Sequence, residues 1–183
     1  MAKSTNNSWQ QGLVRTMKNP KAVVTSDDLV TVINDLYPKA EVHFLVLPKE
    51  NISSLTALNQ DHIDLLRHIE RAGQTVIKEE GHSHRKFKMG FHADPNMYRL
   101  HMHVISDDFN STCLKHKKHW NSFTTDFFLK PEDVIESLET HGKVRIPSPA
   151  ECKALLATPL KCHKCDHRPR NMPDLKEHIL SHV

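Results

Sequence analysis

No run of apolar residues in this 183-residue chain approaches the roughly 20 that a membrane span requires, so no membrane partner is expected. The segment Met1–Ser8 is polar and lacks the apolar core of a secretory leader. Cysteine is scarce: of the four present, Cys113 and Cys152 stand alone and the other two belong to a metal motif. That excludes a disulfide framework and indicates a reducing compartment, cytosol or nucleus. Repeats and low-complexity tracts are absent, leaving an ordinary globular composition. Charge of one sign is also in short supply, with a net +3, but it is unevenly placed. Across 81–104, Arg85, Lys86, Lys88 and Arg99 are opposed only by Asp94; across 113–130, Lys115, Lys117, Lys118 and Lys130 are opposed only by Asp126. Positive potential gathered this way suits a polyanionic partner.

What the chain does have is the run Arg99-Leu100-His101-Met102-His103-Val104-Ile105. Its alternation has the period of a strand, which predicts Arg99, His101 and His103 on one face and Leu100, Met102 and Val104 on the other. Two imidazoles and a guanidinium so placed can bind phosphate and attack phosphorus. Phe87, Met89 and Phe91 alternate with Lys86, Lys88 and His92, so a hairpin with the His101 strand across Asp94-Pro95-Asn96 is predicted. Further strands are predicted over 28–33 and 42–47, the second stopped by Pro48. A short helix runs from Trp9 to Met17 with Ser8 as N-cap and Pro20 beyond its end. A long helix carries Ile63, Leu66, Ile69, Ala72 and Val76 at helical spacing and is expected to open at Ser53 or Ser54. Another spans 131–141, with Pro131 in its first turn and Gly142 after its end. Pro147-Ser148-Pro149 marks a break. The expected architecture is α+β: a mainly antiparallel sheet with packed helices over 1–145 and a small zinc domain over 146–183.

Cys162-x2-Cys165-x12-His178-x3-His182 carries Cys2His2 spacing, with two thiolates from a hairpin and two imidazoles one helical turn apart completing a tetrahedral zinc site. Leu175 stands at the core position of such a finger and Pro169 replaces its usual aromatic, so the finger is expected to pack on the neighbouring domain. Its base-reading positions fall on Asn171, Asp174 and Glu177. Acids there cannot donate to guanine, so the finger is expected to be a docked structural module, free to touch backbone or a DNA end but not to read bases.

Asp35-Leu36-Tyr37-Pro38-Lys39-Ala40-Glu41-Val42-His43-Phe44-Leu45-Val46-Leu47-Pro48, Gly90-Phe91-His92-Ala93, the run from His101 to Phe109, and Lys117-Lys118-His119-Trp120-Asn121-Ser122-Phe123 occur in order ahead of the finger. Together they resemble the histidine-triad superfamily of nucleotide hydrolases and transferases. The resemblance implies removal of AMP from adenylated DNA 5′ ends left by abortive ligation. It assigns His101 as nucleophile, forming a covalent AMP–histidine intermediate, and His92 as the phosphate contact that assists the leaving group. His103, His43 and Lys39 match phosphate-binding positions, and Asp35 matches the acid that contacts the ribose. Arg99 occupies the first triad position in place of histidine, where a guanidinium would support phosphate. Trp9 matches a large apolar residue set against a terminal base pair, an expected DNA contact along with Lys115, Lys117 and Lys118. Trp120 is expected to pack beneath its loop. One structural zinc and no catalytic metal are implied.

Adenylated nicked or broken DNA is the expected partner, with RNA–DNA junctions among the candidate lesions. A monomer is expected, in the nucleus or also in the cytoplasm. Forkhead-associated phosphopeptide domains of relatives are N-terminal, and the chain begins too late to hold one, so phosphopeptide-mediated recruitment is not expected. Two other functions compete: a hydrolase of free nucleotides, and a non-catalytic zinc-finger protein that binds DNA ends.

Overall fold

Residues 11–183 are described by the structure, a computed structural model. The predicted hairpin is present: Phe87–His92 (β4) pairs antiparallel with Met102–Ser106 (β5), placing Gly90 opposite His103. With Val23–Ser26 (β1), Val30–Asn34 (β2), His43–Pro48 (β3) and Phe128–Leu129 (β6) they form one six-stranded antiparallel sheet in the order β1-β2-β3-β5-β4-β6. Gly90 is required by a close approach, since a Cβ there would lie 2.6 Å from the Leu129 carbonyl oxygen and 2.9 Å from the Phe128 ring.

The pleat sorts the side chains into two layers. Phe44, Val46, Phe91, Met102 and Val104 face the main core, where helices Ile63–Glu79 (α2) and Pro131–His141 (α4) bury Leu66, Ile69, Val76, Val134 and Leu138. On the opposite face Ile105 joins Phe109, Leu114, Trp120 and Phe123, the last two from helix Lys117–Thr124 (α3). The short helix Gly12–Met17 (α1) covers Ile33, Leu45 and Leu47 through Leu13. Gly142 closes α4 at φ 69°, a left-handed end that glycine accepts without cost.

Several boundaries differ from expectation for local reasons. Asp27 accepts the amides of Leu29 and Val30 in a turn, so β2 begins at Val30 and not at 28. Ser54 precedes a 3₁₀ turn, Leu55–Ala57, rather than α2; a second 3₁₀ turn, Gln60–His62, is capped by Asn59 and leads into α2 at Ile63. β1 escaped prediction because it is only four residues long and half-buried. Trp9 and Ser8 lie outside the described residues.

After the break, Ser148 caps Pro149–Ala157 (α5) in a capping box with Glu151, and Asn171 caps Met172–Ile179 (α6). The finger's cysteines sit in a loop closed by Cys162 N–H to His167 C=O (2.9 Å), with no strand pair there, which corrects the expected hairpin. The finger does dock: Leu160, Leu175 and Ile179 complete the Ile105–Phe109–Trp120 core. Trp120 is 1 % exposed, and its indole N–H donates to Lys161 C=O at 3.0 Å. Asn121 donates to Leu156 C=O and Thr158 C=O (2.9 and 2.8 Å), Lys176 to Ser111 C=O (2.9 Å) and His163 to Asp107 C=O (2.9 Å).

Candidate active site

His43 on β3, His92 at the end of β4 and His103 on β5 meet His101, just before β5, on the α3 side of the sheet. Ring centroids are 4.2 Å apart for His92–His103, 5.0 Å for His101–His103 and 5.2 Å for His43–His103. Phe123 from α3 lies against His92, His103 and His43, and Phe127 and Phe128 pack on His92. These phenylalanines were not singled out from sequence; the available signal was their crowding into 123–128 among polar residues.

The backbone orders the protons. The Lys39 amide donates to His43 Nδ1 (3.1 Å), so the His43 proton sits on Nε2 and is donated to His103 Nδ1 at 2.9 Å. That leaves the His103 proton on Nε2, a buried atom without a protein partner among the described residues; His92 Nε2 is in the same condition. The Arg99 carbonyl accepts from His101 Nδ1 at 2.8 Å, so His101 Nε2 is a free lone pair. Burial holds all four imidazoles neutral at pH 7: it pushes His43 down to about 4, lowers His92 and His103 well below the ordinary histidine value, and lowers His101. Chemically this is a neutral nucleophile beside orphaned imidazole nitrogens, an arrangement suited to nucleophilic attack at phosphorus with stabilisation of its nonbridging oxygens.

Asp35 stands at the rim. One carboxylate oxygen accepts the Tyr37 amide (2.8 Å) and the other lies 3.6 Å from His43 Nε2. Lys39 folds its ammonium onto the Tyr37 carbonyl, and burial lowers its pKa against the opposing pull of Asp35. Lys115, just before α3, and Lys118, in its first turn, are exposed, while Lys117 donates to Ala157 C=O at the end of α5 (3.1 Å). The other basic stretch is largely consumed within the fold. Arg85 pairs with Glu41 at 2.6 Å, and Lys88 donates to the Phe123 carbonyl at 2.6 Å between the Phe109 and Phe128 rings.

Arg99 is the correction. It precedes β5 with φ 97°, so the strand alternation does not extend to it. Its guanidinium donates to Pro48 C=O, Lys49 C=O and Asn51 Oδ1 at 2.9, 2.7 and 3.1 Å, and is therefore committed to the protein and not to phosphate.

In the finger, Cys162, Cys165, His178 and His182 bring one donor atom each within 4.8 Å of the others. Cys165 Sγ–His178 Nε2 and Cys162 Sγ–His182 Nε2 are 3.2 and 3.5 Å, and the two Nε2 atoms are 3.1 Å apart. A tetrahedral zinc with normal bond lengths has edges of about 3.3 to 3.8 Å; one of these separations lies in that range and two fall a few tenths of an ångström short, so the donor set suits zinc after a slight expansion. Two of the three base-reading positions are spent internally: Asn171 accepts the Asp174 amide, and Asp174 accepts from Arg170.

Fold and site together define a histidine-triad protein with a fused zinc finger. Residues 8–119 match the family described as "Scavenger mRNA decapping enzyme C-term binding", and residues 124–183 the "C2HE / C2H2 / C2HC zinc-binding finger". The chain is 48 % identical to aprataxin of Danio rerio over 96 % of its own length and 54 % of the relative's. It is 33 % identical to the aprataxin-like protein of Saccharomyces cerevisiae, over 69 % of this chain and 75 % of that one. The solved structure of the aprataxin ortholog Hnt3 in complex with DNA shares the fold, with a TM-score of 0.77 at 24 % identity over 95 % of this chain and 94 % of that one. The chain belongs to the aprataxin family. It spans about half the length of the Danio relative.

Proposed function

We propose that this chain removes AMP from 5′-adenylated DNA. The observation that carries the proposal is the proton order around His101: Nδ1 held on the Arg99 carbonyl, with the unpartnered Nε2 atoms of His92 and His103 in the same buried cluster. His101 Nε2 attacks the α-phosphorus, the P–N bond forms, and the P–O bond to the DNA 5′-phosphate breaks. His103 Nε2–H stabilises charge on a nonbridging oxygen, and the His43 relay keeps that proton in place. His92 serves the departing phosphate, which leaves as a repaired 5′ end. Water then cleaves the P–N bond, releasing AMP and restoring neutral His101. Asp35 at the rim takes the ribose hydroxyls, with Lys39 beside the phosphates.

DNA as substrate is supported by the aprataxin relatives, by the exposed Lys115 and Lys118, and by the neighbouring structure solved with DNA. The finger holds one structural zinc and docks as a buttress for α3. Asp35, His43 and His103 are grouped closely enough for a metal, but the Lys39 amide on Nδ1 places a proton on His43 Nε2, where a metal bond would have to form. On this reading the imidazoles themselves contact the phosphates, and no step of the chemistry calls on a metal at this group. The working place that follows from such a substrate is the nucleus.

Single-turnover AMP release from a nicked duplex carrying a 5′-adenylate tests the proposal. Rapid release with a trapped AMP–protein adduct that disappears in His101→Ala supports it. Nick binding without AMP release would leave a DNA-end binding protein instead.

A further inference from the structure

Arg99 sits at φ 97°, in the left-handed region that a residue with a side chain rarely adopts. Segment 48–53 holds it there from two sides. Its amide donates to Ser53 C=O (3.1 Å), and the next amide, Leu100, donates to Ile52 C=O (2.9 Å). Its guanidinium reaches the other end of the same segment, at Pro48 C=O, Lys49 C=O and Asn51 Oδ1. Five hydrogen bonds thus converge on one turn. What they fix is the Arg99–Leu100 peptide. In a trans peptide the N–H and C=O point opposite ways. Seating Leu100 N–H on Ile52 therefore turns the Arg99 carbonyl to the other side, where it accepts His101 Nδ1–H at 2.8 Å.

We infer that Arg99 is a positioning residue for His101, with Asn51 as its partner. The guanidinium clamps 48–51 so that the left-handed turn presents one carbonyl to His101 Nδ1 and keeps Nε2 as the lone pair. Arginine suits this task because its planar fork donates to several acceptors at once and never loses its charge. Lysine has one nitrogen to offer and cannot span the same three acceptors. The functional meaning rests on the hydrolase reading of His101, whereas the effect on the ring's tautomer stands apart from it.

The test uses the full chain with Arg99→Gly, Arg99→Lys and Asn51→Ala. Glycine accepts the left-handed turn without strain but has no clamp, so Arg99→Gly separates the guanidinium from the backbone conformation. Asn51→Ala leaves the Arg99 backbone untouched and guards against a variant that fails to fold. Nitrogen-15 NMR of the histidine rings near neutral pH reads the His101 tautomer, and single-turnover AMP release reads rate and substrate affinity separately. The expected wild-type spectrum shows His101 as a single Nδ1–H tautomer, becoming a mixture in each variant. AMP release at saturating substrate is expected to slow about 10- to 100-fold, with affinity essentially unchanged. A wild-type tautomer and rate in the variants overturns the inference. So does weakened affinity at an unchanged rate constant, which would make Arg99 a phosphate ligand. If the wild type itself releases no AMP, the hydrolase reading fails alone. The tautomer spectra then decide the clamp, upheld by a mixture in the variants and overturned by its absence.

Discussion

His43 and His103, sixty residues apart in sequence, are joined by a 2.9 Å hydrogen bond whose direction is set by a third group, the Lys39 amide. The amide cannot accept, so His43 Nδ1 must, and the remaining proton is passed along to His103. One backbone N–H thus determines which nitrogen of a ring beyond its own reach is the donor.

Replacing His43 with alanine removes the relay while leaving the nucleophile. AMP release at saturating substrate is expected to fall about 10- to 1,000-fold, since outright loss of an oxyanion donor costs about 100- to 1,000-fold and here the donor stays but loses its orientation. A companion His43→Gln, whose amide can donate to His103, should recover part of the loss. Single-turnover rates on the two variants check both statements.

His101→Ala removes the attacking atom and should abolish the covalent adduct while retaining affinity for adenylated nicks. The residual rate is expected to be at least about 1,000-fold below wild type. Adduct trapping by acid quench and nick binding by anisotropy are the measurements.

Acid should destabilise the fold before the carboxylates titrate. His43, His92, His101 and His103 have native pKa values below the ordinary 6.5, so the unfolded chain binds protons that the native state refuses. Their contribution is complete above pH 6.5 and is lost as pH falls toward the His43 value of about 4. Through that window His43 alone removes up to about 1.4 kcal/mol per pH unit. Denaturant titrations between neutral pH and the lower end of that window would read the slope, and His43→Phe should flatten it.

Removing zinc should be felt at Trp120. The finger supplies Leu160, Leu175 and Ile179 to the core around that indole and accepts its N–H at Lys161. Chelation is expected to shift the Trp120 emission to the red and lower Tm, with Cys162→Ser doing the same without chelator. Trp9 emits as well, so the comparison is made in a Trp9→Phe background.

Lys115→Ala combined with Lys118→Ala should weaken binding to adenylated duplex with little effect on the rate constant once bound. The slope of log affinity against log salt should fall by about 2, one unit for each phosphate no longer neutralised. A binding series over salt concentration measures it.

Much of the site was legible because its signals are local. The alternation of 101–105 marked a strand, the spacing of 162–182 marked the finger, and Pro131 with Gly142 bounded α4. The errors fell where a local signal met a tertiary constraint. Ser54 has cap chemistry, but the chain there makes a 3₁₀ turn and reaches α2 only after Asn59. Arg99 continues the polar alternation in sequence, yet its left-handed backbone turns the guanidinium onto the end of β3. The phenylalanines of 123–128 gave only an ambiguous signal, since a crowd of aromatics reads as core until the sheet shows histidines beneath it.

By itself the sequence determined the α+β class, the histidine strand and the zinc ligands, because pleat and metal spacing depend on residues a few positions apart. Only the tertiary structure decided which nitrogens carry protons, what Arg99 holds, and that the finger completes the core over α3. Those depend on where a backbone amide or carbonyl points once distant segments have packed, and that direction is not written into any one residue.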